Sequence, residues 1–333
     1  MMSDNQNRKG AAEIVKGNLQ VLTLSEAQVM QLLDLNLLLV NLEKGFKALS
    51  RGDVQAPGRP EISIPGKGFI LSMPAYQPGM QVSVKTVCVF EGNLSLNLPN
   101  HLAVINLFDA ETGKPVCVMD GTYITGIRTS ASAILSAKLL SKAESKVATI
   151  LGAGVQGREH LKLLPMVRNL EKIFIGSLYF EDARQLAASH ENAIPIEDFE
   201  AAVRQSDIVC LCSHSYKPII EMGWVKPGAH ITSVGYAPPE GELPKEIAQL
   251  HSLFVETRDA FKQPPVGCGE LTGLDPDSGT ELGEMLLGLR PGRKSDTEIT
   301  VYKAMGIAME DMVAANLAYE RAIQEGVGAY IVL

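Results

Sequence analysis

The apolar run Val147–Leu151, VATIL, leads without a spacer into Gly152-Ala153-Gly154-Val155-Gln156-Gly157. In a chain with 30 glycines a G-x-G-x-x-G spacing arises easily by chance. Context gives it weight here: it leaves a strand of buried character and opens a segment with helical spacing, the setting of a dinucleotide fold. In that setting the first glycine permits a tight turn, the second lets the backbone approach a pyrophosphate, and the third lets helix and strand pack closely. The helix N-terminus offers free N–H groups and a positive dipole end to the phosphates. A glycine-rich turn without a ligand is the bland alternative, and the context weighs against it.

The chain around this motif fits the same class. Strands are expected at 147–151, 172–176, 207–212, 229–235 and 252–256, with helices at 156–168, 181–189 and 198–205 between them. Such alternation implies a parallel, doubly wound sheet. A β-rich stretch at 299–303 and a long helix at 307–325 follow. The first half reads differently. The first 20 or so residues are polar and frayed. Ser25 caps a helix running to Leu49, and the Pro/Gly-rich segment GDVQAPGRPEISIPGKG makes turns between short strands. The stretches FILSMP, QVSVKTVCVF and AVINLFDAETGKPVCVMD read as strands, with DAETGKP a hairpin turn, and Thr129 to Leu140 as a helix.

At roughly 150 residues per domain, 333 residues give about two domains. A hydrophobic content of 46% with 20% charged residues excludes a disordered chain. The net charge of −8 argues against a general nucleic-acid binder. The five cysteines, odd in number and three of them in apolar runs, point to a reducing compartment, hence the cytoplasm. No signal-peptide core and no apolar run of about 18 residues is present, so no membrane span is expected.

Three cations stand out. Lys85 shares strand parity with Val87 and Val89, and on that apolar face it would be desolvated, which lowers its pKa and suits proton transfer. From the strand alone, an edge lysine or a structural ion pair is the commoner outcome. Arg59, in the loop APGRPE, and Arg128, read as preceding the Ala/Ser-rich helix, could each clamp a carboxylate in a bidentate fork, or lie solvated on the surface. The six histidines show no metal-ligand spacing, and Cys210 and Cys212 read as core. Ser213 and His214 follow their strand at the carboxyl edge of the sheet, where such folds bind ligands. The second strand of the nucleotide unit ends Ile175-Gly176-Ser177-Leu178-Tyr179, with no acid for a ribose and no arginine for a 2′-phosphate. Glu181 and Asp182 begin the next helix. Lacking that arginine, the reading inclines to NAD(H) over NADP(H).

In order along the chain, PGRPE, SMPAY, SVKTV, LPNHLAVINLFDAETGKPVCVMDGTYITGIRTSASA, TILGAGVQGREH, SVGYAPPEGELP and SDTEITVYKAMGIAMEDMVAA resemble the ornithine cyclodeaminase/μ-crystallin family over residues 20–325. The resemblance implies a homodimer. It also implies an α/β chain with a Rossmann-type domain at 127–315 and an α+β substrate-binding and dimerisation domain at 1–126, completed by 316–333. The shared chemistry is hydride transfer between a nicotinamide and the α-carbon of an amino or imino acid. Carried over by position, Arg59 belongs to the substrate-carboxylate clamp, Lys85 contacts substrate as acid/base, and Arg128 stands where carboxylate and cofactor sites meet. Gly152, Gly154, Val155, Gln156 and Gly157 form the pyrophosphate loop. Ser177, Ser213, Ser233, Val234 and Gly235 line the cofactor, and Asn100 stands near the nicotinamide end. No metal is implied.

Two departures bear on the reaction. Gly235-Tyr236-Ala237-Pro238-Pro239-Glu240 has no aspartate where cyclodeaminases carry a catalytic acid, with Glu240 a poor substitute. Leu71 stands where they place a glutamate for a second amino group. The expected activity is therefore reduction of a small α-imino acid, or the reverse amino-acid dehydrogenation. The alternatives are an ammonia-releasing cyclodeaminase with recycled NAD and a non-catalytic dinucleotide-binding protein.

Overall fold

The computed structural model describes residues 19–333, so the expected frayed start at 1–18 lies outside the described residues. Gln20 already begins a strand. The first 140 residues supply strands β1 (Gln20–Leu24), β2 (Glu61–Ile64), β3 (Gly68–Ala75), β4 (Val82–Val89), β5 (His101–Phe108) and β6 (Pro115–Asp120). They also supply helices α1 (Glu26–Leu32), α2 (Leu35–Arg51) and α3 (Thr122–Leu140). Then come β7 (Val147–Leu151), α4 (Val155–Leu163), β8 (Lys172–Gly176), α5 (Phe180–Ala187), β9 (Ala193–Ile196), α6 (Phe199–Gln205) and β10 (Ile208–Leu211). The chain ends with β11 (His230–Ser233), α7 (Lys245–Leu250), β12 (Ser252–Val255), β13 (Gly279–Glu281), α8 (Leu282–Leu286), β14 (Thr300–Lys303), α9 (Ala308–Glu325) and β15 (Ala329–Val332).

Two sheets result. One has the order β15-β1-β6-β5-β4-β3-β2 and is antiparallel except where β1 meets β6. The other, β13-β12-β14-β11-β10-β7-β8-β9, is parallel throughout. Its inner strands are buried along nearly their whole length, as a sheet covered on both faces requires. The chain runs β7, β8, β9 outward and then returns to place β10 on the other side of β7. The strand order therefore reverses beside β7, and the glycine motif emerges at that switch point.

Several local expectations are corrected. The helix read from Ser25 to Leu49 is two helices, because the Asp34 carboxylate accepts the N–H groups of Asn36 and Leu37 and caps a fresh start. Ser25 does cap the first, in a capping box with Gln28. Helix α3 begins at Thr122, so Arg128 lies inside it rather than before it. Helix α4 gives way at Leu163 to a tighter 3-10 turn holding Pro165, which has no N–H for the α-helical ladder. The division drawn at 315/316 falls inside α9, one continuous helix.

Helix α3 holds the two halves together. It is buried along nearly its whole length and packs on α2 and α9 on one side and on α4 and β11 on the other. Such all-round burial suits its Ala, Ser and Ile content.

Candidate active site

The glycine loop is built by steric necessity at two of its three glycines. Gly152 has φ +121°, and a Cβ there would stand 2.3 Å from the Cys212 carbonyl oxygen. A Cβ on Gly157 would stand 1.9 Å from the Gly152 carbonyl oxygen. At Gly154 a Cβ would meet no protein atom within 4 Å. Gly154 is the N-cap of α4, and no side chain caps the helix. Open space before unsatisfied N–H groups is a cradle that a phosphate fits. Val155 is exposed at this end, while Gln156 turns inward: its Oε1 accepts from Ser130 Oγ at 2.9 Å and its Nε2 donates to the Gly126 carbonyl.

Strand β4 places Lys85 in a cross-strand row with Met73, Ile105 and Met119, all buried. The strand is interior to its sheet, so the edge-lysine alternative fails. Lys85 Nζ stands 2.7 Å from Asp311 Oδ2. The other oxygen of Asp311 accepts from Arg128 Nε at 2.9 Å, and Arg128 Nη1 donates to Glu310 Oε2 at 2.6 Å. Desolvation lowers the Lys85 pKa to about 8, opposed chiefly by Asp311. Burial alone would lower that of Arg128, but Asp311, Glu310 and Glu256 outweigh it and hold the guanidinium above its ordinary value. Glu310 is pushed well up, first by burial and then by Glu256. Glu256 in turn accepts the N–H groups of Met305 and Gly306. Gly306, at φ +75°, passes so close to Arg128 that a Cβ would stand 2.3 Å from Nη1. Only glycine fits there.

Arg59 approaches the same group from the loop before β2. Its Nη2 donates to the Pro265 carbonyl at 2.8 Å, and Nη1 to the carbonyls of Met305 and Gly306 at 3.4 and 3.3 Å. The guanidinium lies 5.9 Å from the Tyr236 ring centroid. Burial lowers its pKa, partly offset by Tyr236 and Glu256. The structure thus gathers Arg59, Lys85 and Arg128 into one cluster.

At the carboxyl edge of β10 and β11 one buried carboxylate organises the remaining candidates. Glu242 Oε2 accepts from both the N–H and the Oγ of Ser213 at 2.7 Å, and Oε1 accepts from Ser233 Oγ and the Gly235 N–H at 3.0 and 2.7 Å. Val234 is buried between them. Lys303 Nζ donates to the Gly235 carbonyl at 2.6 Å and pairs with Glu270 at 2.8 Å. Glu240 is exposed. Replacing Glu242 with leucine leaves these donors unpaired, and each such buried group costs about 1–3 kcal/mol. The expected result is a thermal midpoint lowered by several degrees, read by calorimetry.

Two candidates lie apart from the cation cluster. Asn100 immediately precedes β5, with Oδ1 3.2 Å from His101 Nδ1. Ser177 is at the tip of β8, followed by Leu178 and Tyr179, which are 87% and 68% exposed. Glu181 begins α5 and pairs with Arg184. The sequence reading missed Asp311, Glu310, Glu256, Glu242, Lys303 and Glu270. The signal that found Lys85, a charge inside an apolar run, is present in AMEDMVAA, SLFVE and TVYKAM as well.

Fold and loop define a Rossmann-type dinucleotide-binding protein with a second, mostly antiparallel sheet. The chain belongs to the ornithine cyclodeaminase/mu-crystallin family, whose sequence profile matches residues 20–326. It is 33% identical to the ketimine reductase mu-crystallin of Mus musculus over 292 residues, 86% of this chain and 92% of that protein. The Thermococcus litoralis Delta(1)-pyrroline-2-carboxylate reductase, solved with NADH and L-proline, superposes with a TM-score of 0.87 at 31% identity, over 93% of this chain and all of that one (100%). An archaeal alanine dehydrogenase dimer with bound NAD superposes with a TM-score of 0.85 at 28% identity, covering 94% of this chain and 99% of that one.

Proposed function

We propose that the protein is an NAD(P)-dependent oxidoreductase that reduces a small α-imino acid to the amino acid, or catalyses the reverse dehydrogenation. The substrate is a cyclic ketimine or the imine of an α-keto acid with an amine. The observation that carries this reading is on α3. Arg128, in the cation cluster, and Ser130, which holds the first turn of α4, stand two residues apart on one helix. A carboxylate on the cluster and a pyrophosphate on the loop are thereby held at a fixed spacing.

When bound, the dinucleotide supplies or accepts a hydride at the substrate α-carbon. The protein's own residues do the rest. Arg128 engages Nε and Nη1 with Asp311 and Glu310, which leaves Nη2 to hold the substrate carboxylate, and Arg59 joins it by exchanging backbone carbonyl contacts for the carboxylate. Lys85 gives the proton to the imine nitrogen, or takes it from the amine. Reduction needs the ammonium form, so its kcat/KM falls as pH rises through about 8, whereas oxidation rises over the same range. Rate profiles in both directions check this. Turnover of cyclic imino acids, or of α-keto acids with ammonia or methylamine, is followed by the near-ultraviolet absorbance of the reduced nicotinamide. Ammonia release from ornithine without net change in that absorbance would instead favour a cyclodeaminase. Leu71, buried on the face that carries Lys85, and the exposed Glu240 both speak for reduction.

For the cofactor, NAD(H) is the choice, since Ser177-Leu178-Tyr179 offers no arginine to a 2′-phosphate. Leu178→Arg is expected to shift the NADPH/NADH preference roughly tenfold toward NADPH, measured as the ratio of kcat/KM values. The working unit is a homodimer formed through the outer face of the first sheet. Ile62, Ile70, Cys88 and Leu102 make an apolar cross-strand row there, and exposed Val104 lies in the next. Val104→Glu is expected to give a monomer by light scattering. All five cysteines are free, in keeping with a cytoplasmic setting. Among the described residues no helix is long and apolar enough to cross a membrane.

A further inference from the structure

We propose that Asp311 is a positioning residue that aims and charges Lys85 for proton transfer, an inference that rests on the reductase reading. Asp311 is fully buried and divides its two oxygens between the two cations that the reaction needs, Oδ2 to Lys85 and Oδ1 to Arg128. A carboxylate used only to neutralise a lysine has no need of the second contact. The bridge fixes the ammonium relative to the guanidinium, and so fixes the proton relative to the carboxylate of a bound substrate.

The scaffold holds this bridge in place from outside the site. Asn316, one turn and a half further along α9, accepts the Gln81 N–H at 2.8 Å and donates to the Gln81 carbonyl at 3.2 Å. That double hydrogen bond docks α9 on the start of β4, and β4 carries Lys85 four residues later. Helix and strand are locked in register at one point, so Asp311 and Lys85 meet at another.

Other charges facing Lys85 do not replace Asp311. From α9, Glu310 is turned to Arg128, and it raises the lysine less than Asp311 does. From α3, Arg128 is a like charge and lowers the lysine. His101 on β5 feels Lys85 as a further like charge. Arg59 and Glu256 stand beyond, engaged with backbone groups. Asp311 is the largest influence keeping the buried lysine protonated.

The test is Asp311→Asn. Lysine labelled with carbon-13 at Cε is incorporated into the whole protein, and the Lys85 signal is assigned by its loss in Lys85→Met. In the variant the Lys85 titration is expected to move down by about one unit or more, since desolvation then acts without its main opponent. The alkaline limb of the reduction profile follows it, kcat falls roughly 100-fold, and dinucleotide affinity is unchanged. Asp311→Glu keeps the charge and guards against a variant that fails to fold: its Lys85 titration stays near the parent value while kcat falls through misplacement. An unmoved Lys85 titration in Asp311→Asn overturns the proposal, even with a loss of rate. A parent protein that reduces no imino acid sinks the reductase reading, and the titration still decides the coupling of Asp311 to Lys85.

Discussion

Lys85→Met lowers kcat by about 10²–10⁴-fold and leaves dinucleotide binding as it was. The size follows from losing a positioned proton donor. The choice of methionine follows from the packing. Lys85 lies in a row with Met73, Ile105 and Met119, so an unbranched apolar chain of similar length fills the same space. Asp311 keeps its contact to Arg128 Nε, so the change does not strand a carboxylate without a cation. The variant is expected to fold and to be no less stable than the parent. The measurements are kcat by steady-state assay and dinucleotide affinity by calorimetric titration. A variant retaining more than about a tenth of the parent rate removes Lys85 from acid/base chemistry.

Gly157→Ala and Gly154→Ala separate packing from ligand binding within one loop. An added methyl at Gly157 cannot coexist with the Gly152 carbonyl oxygen 1.9 Å away, so α4 must retreat from β7. Overpacking of this kind costs about 1–3 kcal/mol of stability, and the cradle loses its shape. At Gly154 the methyl meets no protein atom, so stability is unchanged, yet it occupies the space before the helix N-terminus. Dinucleotide affinity is expected to fall by about two orders of magnitude in both variants, while the thermal midpoint falls only in Gly157→Ala. Undiminished affinity in Gly154→Ala would place the pyrophosphate elsewhere.

The contrast between those glycines also shows what a sequence can carry. The parallel half was legible because VATIL, KIFIG and IVCL are buried on both faces and stand out as apolar runs between turns. Lys85 was legible for the same reason, a charge inside such a run. Its partner was hidden by distance: Asp311 lies 226 positions further along, and no local pattern says that α9 crosses β4. Strand β15 was missed because all four of its residues are exposed and only β1 gives it a partner. The break between α1 and α2 was missed because Asp34 reads equally as a polar residue on a helix face or as a cap. The apolar spacing continues across it.

Helix α3 has a consequence for how such a protein can move. Many two-domain enzymes assemble their sites by swinging one domain over the other once both ligands are aboard. Here Arg128, which the proposed reading gives to the substrate carboxylate, and Ser130, which braces the helix of the glycine loop, are joined by less than one turn of a single buried helix. A hinge placed anywhere else leaves that spacing untouched. On the proposed reading, the spacing between the carboxylate site and the pyrophosphate loop is then a product of folding, already set in the empty protein.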